Sequence, residues 1–221
     1  MNAEKKSYPG FDLVNIQVEK PDELPEISTG FVRVEIPSVA GNDFRMKARG
    51  YTFGDRTLGV AINLKRIEMD LDKMIRFEVR KAREEDMEAV MKIALASFPT
   101  DRRFHVKPEP DQNVADEILR DWVGQLNNIY VCTHKNVVVG FLDLETVGEQ
   151  DSFIHLAAVT ERYRAAGAAL SMYAFAIKAA MEAGKSRVLG RISSTNTAVM
   201  NLYARLGGVF SDPVDVFLRD V

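Results

Sequence analysis

The chain has 221 residues, 46% of them apolar and 28% charged, with a formal net charge of −3. That is the balance of an ordinary water-soluble globular protein, and no run nears the ~18 consecutive apolar residues of a membrane-spanning helix. The charge signs are well mixed, which excludes the basic block that marks binding to a nucleic-acid polymer.

Residues 1 to about 70 form a small α+β unit. "DLVNIQVE" and "FVRVEI" place Val14, Ile16, Val18 and Val32, Val34, Ile36 on alternating positions, the pattern of half-buried strands. "NDFRMKARG" reads as a short helix closed by Gly50, and "YTFGDRTLGVAINL" as a third strand. The polar "KRIEMDLDKM" is a connection. Residues 71–221 are expected to form the main domain. It opens with the strand "RFEVRKA" and a helix burying Met87, Val90, Met91, Ala94, Leu95 and Phe98 on one face, stopped by Pro99. A second amphipathic helix carries Val114, Ile118, Leu119, Trp122, Val123 and Leu126, and the strands "IYVCTH" and "VVVGFLDLET" follow across a turn at Lys135–Asn136. Strand "SFIHLAAV", helix 165–183 and strand "RVLGRIS" make a βαβ crossover, hence a parallel pair in a mixed sheet. Helix 196–206 and a strand pair around "VDVFLR" complete the chain, and the last strands offer edges for pairing in a homodimer.

Several chemistries are missing from the sequence. The histidines at 105, 134 and 155 have no second ligand at metal-binding spacing, so no metal is expected. There is neither a G-x-S-x-G elbow nor a P-loop. Cys132 lies in the apolar "IYVCT" and is expected as a buried thiol; with no disulfide partner it suggests a reducing compartment, the cytoplasm. The N-terminus, "MNAEKKSYPG", lacks the apolar stretch of a secretory signal.

One stretch does point to a ligand. In "VTERYRAAGAAL" a helix begins with Ala165, Ala166, Gly167, Ala168 and Ala169 behind Arg164. The first amides of a helix lack intrahelical partners and carry the positive end of its dipole, so they can bind a phosphate when the neighbouring side chains are small. Arg164 adds a fixed charge with a planar fork. Taken alone, the same alanines serve equally well for close helix–sheet packing.

"LAAVTERYRAAGAAL" resembles the acetyl-CoA-binding signature of the GNAT acetyltransferase superfamily, a strand leading into Arg/Gln-x-x-Gly-x-Gly/Ala, with Arg164, Gly167 and Ala169 on the defining positions. "NTAVMNLYARLGG" is similar to the family's Asn-x-x-Ala-x-x-x-Tyr-x-x-x-Gly helix through Asn196, Tyr203 and Gly207, with Ala198 one place early. Ala165 and Ala166 replace a frequent Gly-Lys pair, and Glu161 stands where proline is common. The resemblance covers roughly residues 76–221 and implies a mixed α/β fold with a splayed parallel strand pair flanked by helices. The first 70 residues would then be an added, incomplete unit of similar kind.

The resemblance further implies acetyl-CoA as co-substrate. The diphosphate would lie at Arg164–Ala169 with Asn196 nearby, and the pantetheine arm along the main chain of Leu156, Ala157, Ala158 and Val159. Tyr203 would protonate the departing sulfur. No base declares itself; Glu145 occupies a strand where some relatives carry a carboxylate, and His155 lies beside the thioester.

For the acceptor, "FPTDRRFHVKPEPDQNVADEILRDWV" resembles the loop and Trp-bearing helix of TDP-fucosamine and related sugar-nucleotide acetyltransferases, through Arg103, Phe104, His105 and Trp122. Arg102 and Arg103 would fork onto a diphosphate and Phe104 would stack on a base or sugar. The expected reaction is therefore N-acetylation of a nucleotide-linked amino sugar. The alternatives are acetylation of a protein N-terminus, an amino acid or another small amine, and a non-catalytic CoA-binding regulator. An acidic acceptor groove would favour the small amines, and clustered arginines the nucleotide sugar.

Overall fold

The computed structural model describes residues 1–221 except 100, 108 and 110. Its strands are β1 (Asn2–Tyr8), β2 (Phe11–Gln17), β3 (Phe31–Pro37), β4 (Thr52–Asn63), β5 (Glu78–Lys81), β6 (Ile129–His134), β7 (Val137–Val147), β8 (Asp151–Val159), β9 (Arg187–Ser193) and β10 (Gly208–Asp220). The helices are α1 (Asn42–Ala48), α2 (Met87–Ser97), α3 (Gln112–Gln125), α4 (Glu161–Arg164), α5 (Ala168–Glu182) and α6 (Thr197–Arg205). The strands make one mixed sheet in the order β1-β2-β3-β10-β4-β9-β8-β7-β6-β5. Two pairs are parallel: β8–β9, joined through α5 as the βαβ pattern predicts, and β2–β3.

The small N-terminal α+β unit does not stand apart from this sheet. Its strand β4 is hydrogen-bonded to β9 on one side and β10 on the other. β10 also differs from expectation, being one long strand rather than a pair. It bends at an irregularity between Ser211 and Val214, where Asp212 takes a positive φ of 48°. Because β10 is held between β3 and β4, it has no free edge with which to pair another subunit. β1 was not foreseen, since "NAEKKSY" shows no apolar alternation. It is an edge strand, and its charged residues suit an edge that must not recruit other chains.

Helices α5 and α6 cover one face of the central strands, burying Met172, Ile177 and Leu206 beside Leu142, Leu144 and Val188. Helices α2 and α3 cover the opposite face, with Val90, Ala94, Ile118 and Val123 against Val131, Phe141 and Leu156. The alternating residues of β2 and β3 that faced a core in the sequence do so, under Met46 of α1. The other face of those strands turns toward α3: Leu13 and Phe31 join the α2–α3 core, and Lys6 and Tyr8 reach Asp121. Asp111 caps α3 by accepting from the amides of Asn113 and Val114. Cys132 is buried as expected, and burial pushes its thiol up to about 11. Among the described residues, no helix is long and apolar enough to cross a membrane.

Candidate active site

The alanine-rich stretch divides between the two purposes it could serve. The chain turns through α4, and Gly167 takes φ +88° with nothing within 4 Å of where a Cβ would stand. Gly167 is thus required for its left-handed backbone and not for close contact. Helix α5 begins at Ala168, three residues later than expected, and its first internal bond runs from the Ser171 amide to the Gly167 carbonyl at 3.0 Å. The amides of Ala168, Ala169 and Leu170 precede that bond, so they lack intrahelical acceptors. Ala165 and Ala166 are exposed and leave this end uncovered, whereas Ala168 is packed into the core. Arg164 lies at the rim, and its Nε donates back to the carbonyl of Val159 at 3.1 Å, fastening the helix start to the end of β8.

Strands β8 and β9 pair from Asp151↔Arg187 to Ile154↔Gly190 and then part. Beyond that point β8 is bonded to β7 alone, through Ala157↔Leu142, Ala158↔Phe141 and Val159↔Gly140. The main chain of residues 156–159 therefore presents an unpaired edge to a widening gap. A register shift opposite Leu142–Leu144 gives β8 one extra residue at His155–Leu156, which disturbs the strand's alternation at the parting point.

Tyr203 sits at the apex of this gap. It is 1% exposed, and its hydroxyl occupies space that only a glycine leaves open. A Cβ on Gly190, the last residue of β9 paired to β8, would lie 2.5 Å from that oxygen. Tyr173 of α5 meets the ring edge to face, with centroids 5.1 Å apart and planes at 90°. Burial, with the adjacent Tyr173 phenol, holds the Tyr203 hydroxyl well above the ordinary tyrosine range. Burial pushes Tyr173 up to about 12. Both phenols keep their protons at neutral pH. Asn196 caps α6, its Oδ1 accepting from the Val199 amide at 3.2 Å.

This layout, with uncovered amides at a helix start, a splayed parallel pair and a buried phenol at its apex, agrees with the comparisons to known proteins. The model of the acetyltransferase (GNAT) family matches residues 87–208. The chain belongs to the GNAT acetyltransferase family.

Solved structures agree on the fold. A conserved protein of unknown function from Staphylococcus epidermidis superposes with TM-score 0.65 at 14% identity, over 86% of this chain and 72% of that one. GCN5-related N-acetyltransferases from Sphaerobacter thermophilus and Kribbella flavida give TM-scores of 0.57 and 0.56, each at 17% identity. Those alignments cover 87% and 86% of this chain and 60% and 68% of theirs. No curated protein matches the sequence.

Where the GNAT acetyltransferase would receive its acceptor, the structure gives the "DRRFH" loop an internal role. Asp101 accepts from Nε and Nη2 of Arg103, and Arg103 Nη1 donates to the carbonyl of His155 at 3.3 Å. Arg102 donates to the carbonyls of His105 and Lys107. The Phe104 ring is 0% exposed and packs against Phe98 and Trp122, so neither face is open to a base or sugar. His105 is buried, with Nε2 3.2 Å from the carbonyl of Phe98. The fork of Arg103 is thus spent on Asp101 and the His155 carbonyl, and Arg102 is tied to the loop through Nη1. Arg103 also lies over the rings of Phe98, Phe104 and Trp122 at 5.3 to 5.7 Å.

A cleft of about 490 Å³ opens beside this loop, between β1–β3, α3 and the ends of β7 and β8. At its inner end stand His155 and Glu145, with Nε2 2.5 Å from Oε2, so these two candidates do come together. Asp143, absent from the sequence expectations, joins them in the lining. It is 2% exposed, and its Oδ1 accepts from the Asn128 amide at 3.0 Å. Burial raises its carboxyl above the ordinary range. Strand period gives the signal that could have found it, because residues two apart share a face and Glu145 was already singled out. The outer wall comes from Glu4, Lys6, Tyr8, Asn15, Arg33 and Glu35, which no local motif marks.

Proposed function

We propose that this acetyltransferase moves the acetyl group of acetyl-CoA to the primary amine of a small acceptor that presents an ammonium group to the cleft. The observation that carries this is the state of the cleft's charges. Each cation in the lining already lies beside a carboxylate: Lys6 beside Asp121, Arg33 beside Glu35, and Arg103 beside Asp101. The carboxyls of Asp143 and Glu145 stand at the inner end beside His155, where an ammonium is attracted and a diphosphate repelled. A nucleotide-linked amino sugar would need Arg102 and Arg103 to leave their present partners. A free amine of sugar or amino-acid size needs no such change.

The chemistry follows from the two sides of the gap. Acetyl-CoA enters over the amides at the start of α5, with its pantetheine along the unpaired edge of β8. The amine arrives from the cleft and must be neutral to attack. His155, held by Glu145, accepts its proton, and the carboxylates make the charged imidazolium affordable. As the tetrahedral intermediate collapses, the C–S bond breaks and the Tyr203 hydroxyl donates to the sulfur. Both Tyr203 and its neighbour lie in a buried site that disfavours a phenolate, so Tyr203 contributes mainly a hydrogen bond to the thiolate, which takes its proton from solvent as CoA leaves.

Thiol release measured against a panel of free amines, with a nucleotide-linked amino sugar included, tests the acceptor class. Free amines are expected to turn over and the nucleotide to bring no gain; strong preference for the nucleotide-linked sugar would reverse the assignment. His155→Gln is expected to lower kcat/KM about 10²-fold near neutral pH. Glu145→Gln should give a smaller loss. Unchanged kcat/KM in His155→Gln would remove this residue as the base.

A further inference from the structure

Arg33 stands out among the cations of the cleft. The alternation that sends Val32, Val34 and Ile36 of β3 into the core places Arg33 and Glu35 on the cleft side. The Arg33 side chain is 12% exposed, yet among the described residues it makes one hydrogen bond, from Nη2 to Glu35 Oε1 at 2.6 Å. Its buried Nε has no hydrogen-bond partner among the described residues. Arg103, by contrast, gives Nε, Nη1 and Nη2 to acceptors. Lys6 has Asp121 and Gln125 within reach. The other oxygen of Glu35 accepts from Gln17 at 3.0 Å and makes no bond to Arg33. Nη1 also makes no hydrogen bond among the described residues, and a mostly buried guanidinium with unused donors is a costly arrangement that an acceptor oxygen on Nη1 would relieve.

We propose that Arg33 receives a carboxylate of the acceptor, so that the substrate is an amino acid or a similar zwitterion, with its amine at Asp143, Glu145 and His155 and its acid group at β3. This rests on the assignment of the cleft as the amine site. A planar monoanion suits the guanidinium fork. A multiply charged phosphate would have to enter a cleft lined also by Glu4, Glu35, Asp121, Asp143 and Glu145. The volume of about 490 Å³ accommodates a molecule of amino-acid size.

The test compares each common amino acid with its own carboxamide, by calorimetry on the whole chain with CoA present and by thiol release with acetyl-CoA. The acid is expected to bind about 10- to 100-fold more tightly than the amide in the wild type, as a charge-assisted bond allows. In Arg33→Gln the two should bind within about threefold of each other. Glu35→Gln frees Nη2 and should widen the preference for the acid; it serves as the second variant should Arg33→Gln fail to fold. Equal binding of acid and amide by the wild type, a preference that survives Arg33→Gln, or no binding of either overturns the proposal. The failures are separable: acetylation of amides and simple amines alone sinks the carboxylate site and leaves amine acetylation standing, whereas acid-selective binding without any thiol release sinks amine acetylation and leaves Arg33 as an anion site.

Discussion

Replacing Tyr203 with Phe is expected to lower kcat about 10²-fold or more while leaving the affinity for acetyl-CoA nearly unchanged, as loss of a positioned hydrogen-bond donor does. Phenylalanine keeps the ring that packs against Tyr173 and removes the oxygen at the parting point of β8 and β9. The fold therefore survives and the departing sulfur loses its donor. Gly190→Ala offers an independent approach to the same group. The added methyl would come within 2.5 Å of the Tyr203 oxygen and 3.3 Å of the ring carbon that bears it, so the phenol must move. Its kcat should fall toward that of Tyr203→Phe, with a stability loss of about 1–3 kcal/mol from overpacking. Steady-state thiol release with a calorimetric check of CoA binding measures both. Unaltered turnover in Tyr203→Phe would remove the phenol from the mechanism.

Arg103→Met should produce the largest loss of stability, about 3 kcal/mol or more, because it leaves Asp101 charged and unpaired in a largely buried site. In the wild type, burial works to raise the Asp101 carboxyl, but the Arg103 charge and hydrogen bonds outweigh it and hold the group below its ordinary range. A depressed carboxyl contributes stability above its unfolded value near ~3.9 and loses it as pH falls through the folded value. In the variant only the main-chain amide of residue 103 and the Arg33 charge still oppose burial, so the group rises and protonation at falling pH relieves the penalty. The gap in unfolding free energy between the two proteins should thus be widest at neutral pH and narrow toward about pH 4. Urea denaturation across that range measures it; a gap independent of pH would contradict the role assigned to the pair.

The part of the site that a short local pattern encodes was legible in the sequence. Gly167 and the alanines around it, the paired strands on either side of α5, and Tyr203 seven residues after the cap Asn196 are read from adjacent positions. The "DRRFH" loop shows the limit of such patterns. Arg102, Arg103 and Phe104 have the right chemistry for a nucleotide, but neighbouring acceptors and the Trp122 ring claim them once the chain folds. Asp143 was hidden by its apolar neighbours Leu142 and Leu144. The cleft wall was hidden by topology, since Asn15, Arg33 and Glu35 occupy the strand positions that alternate with core residues and would ordinarily face water. They face a cleft because β4 is placed between β9 and β10, which brings the first strands round to α3. No spacing within residues 1–70 announces a partner strand more than 120 residues away.

A crystal structure of the chain with CoA tests the central claim most directly. The account predicts the diphosphate on the amides of residues 168–170, the pantetheine arm beside residues 156–159, and the sulfur within hydrogen-bonding reach of the Tyr203 oxygen at Gly190. CoA bound away from the gap between β8 and β9, or a sulfur out of reach of that phenol, would contradict it.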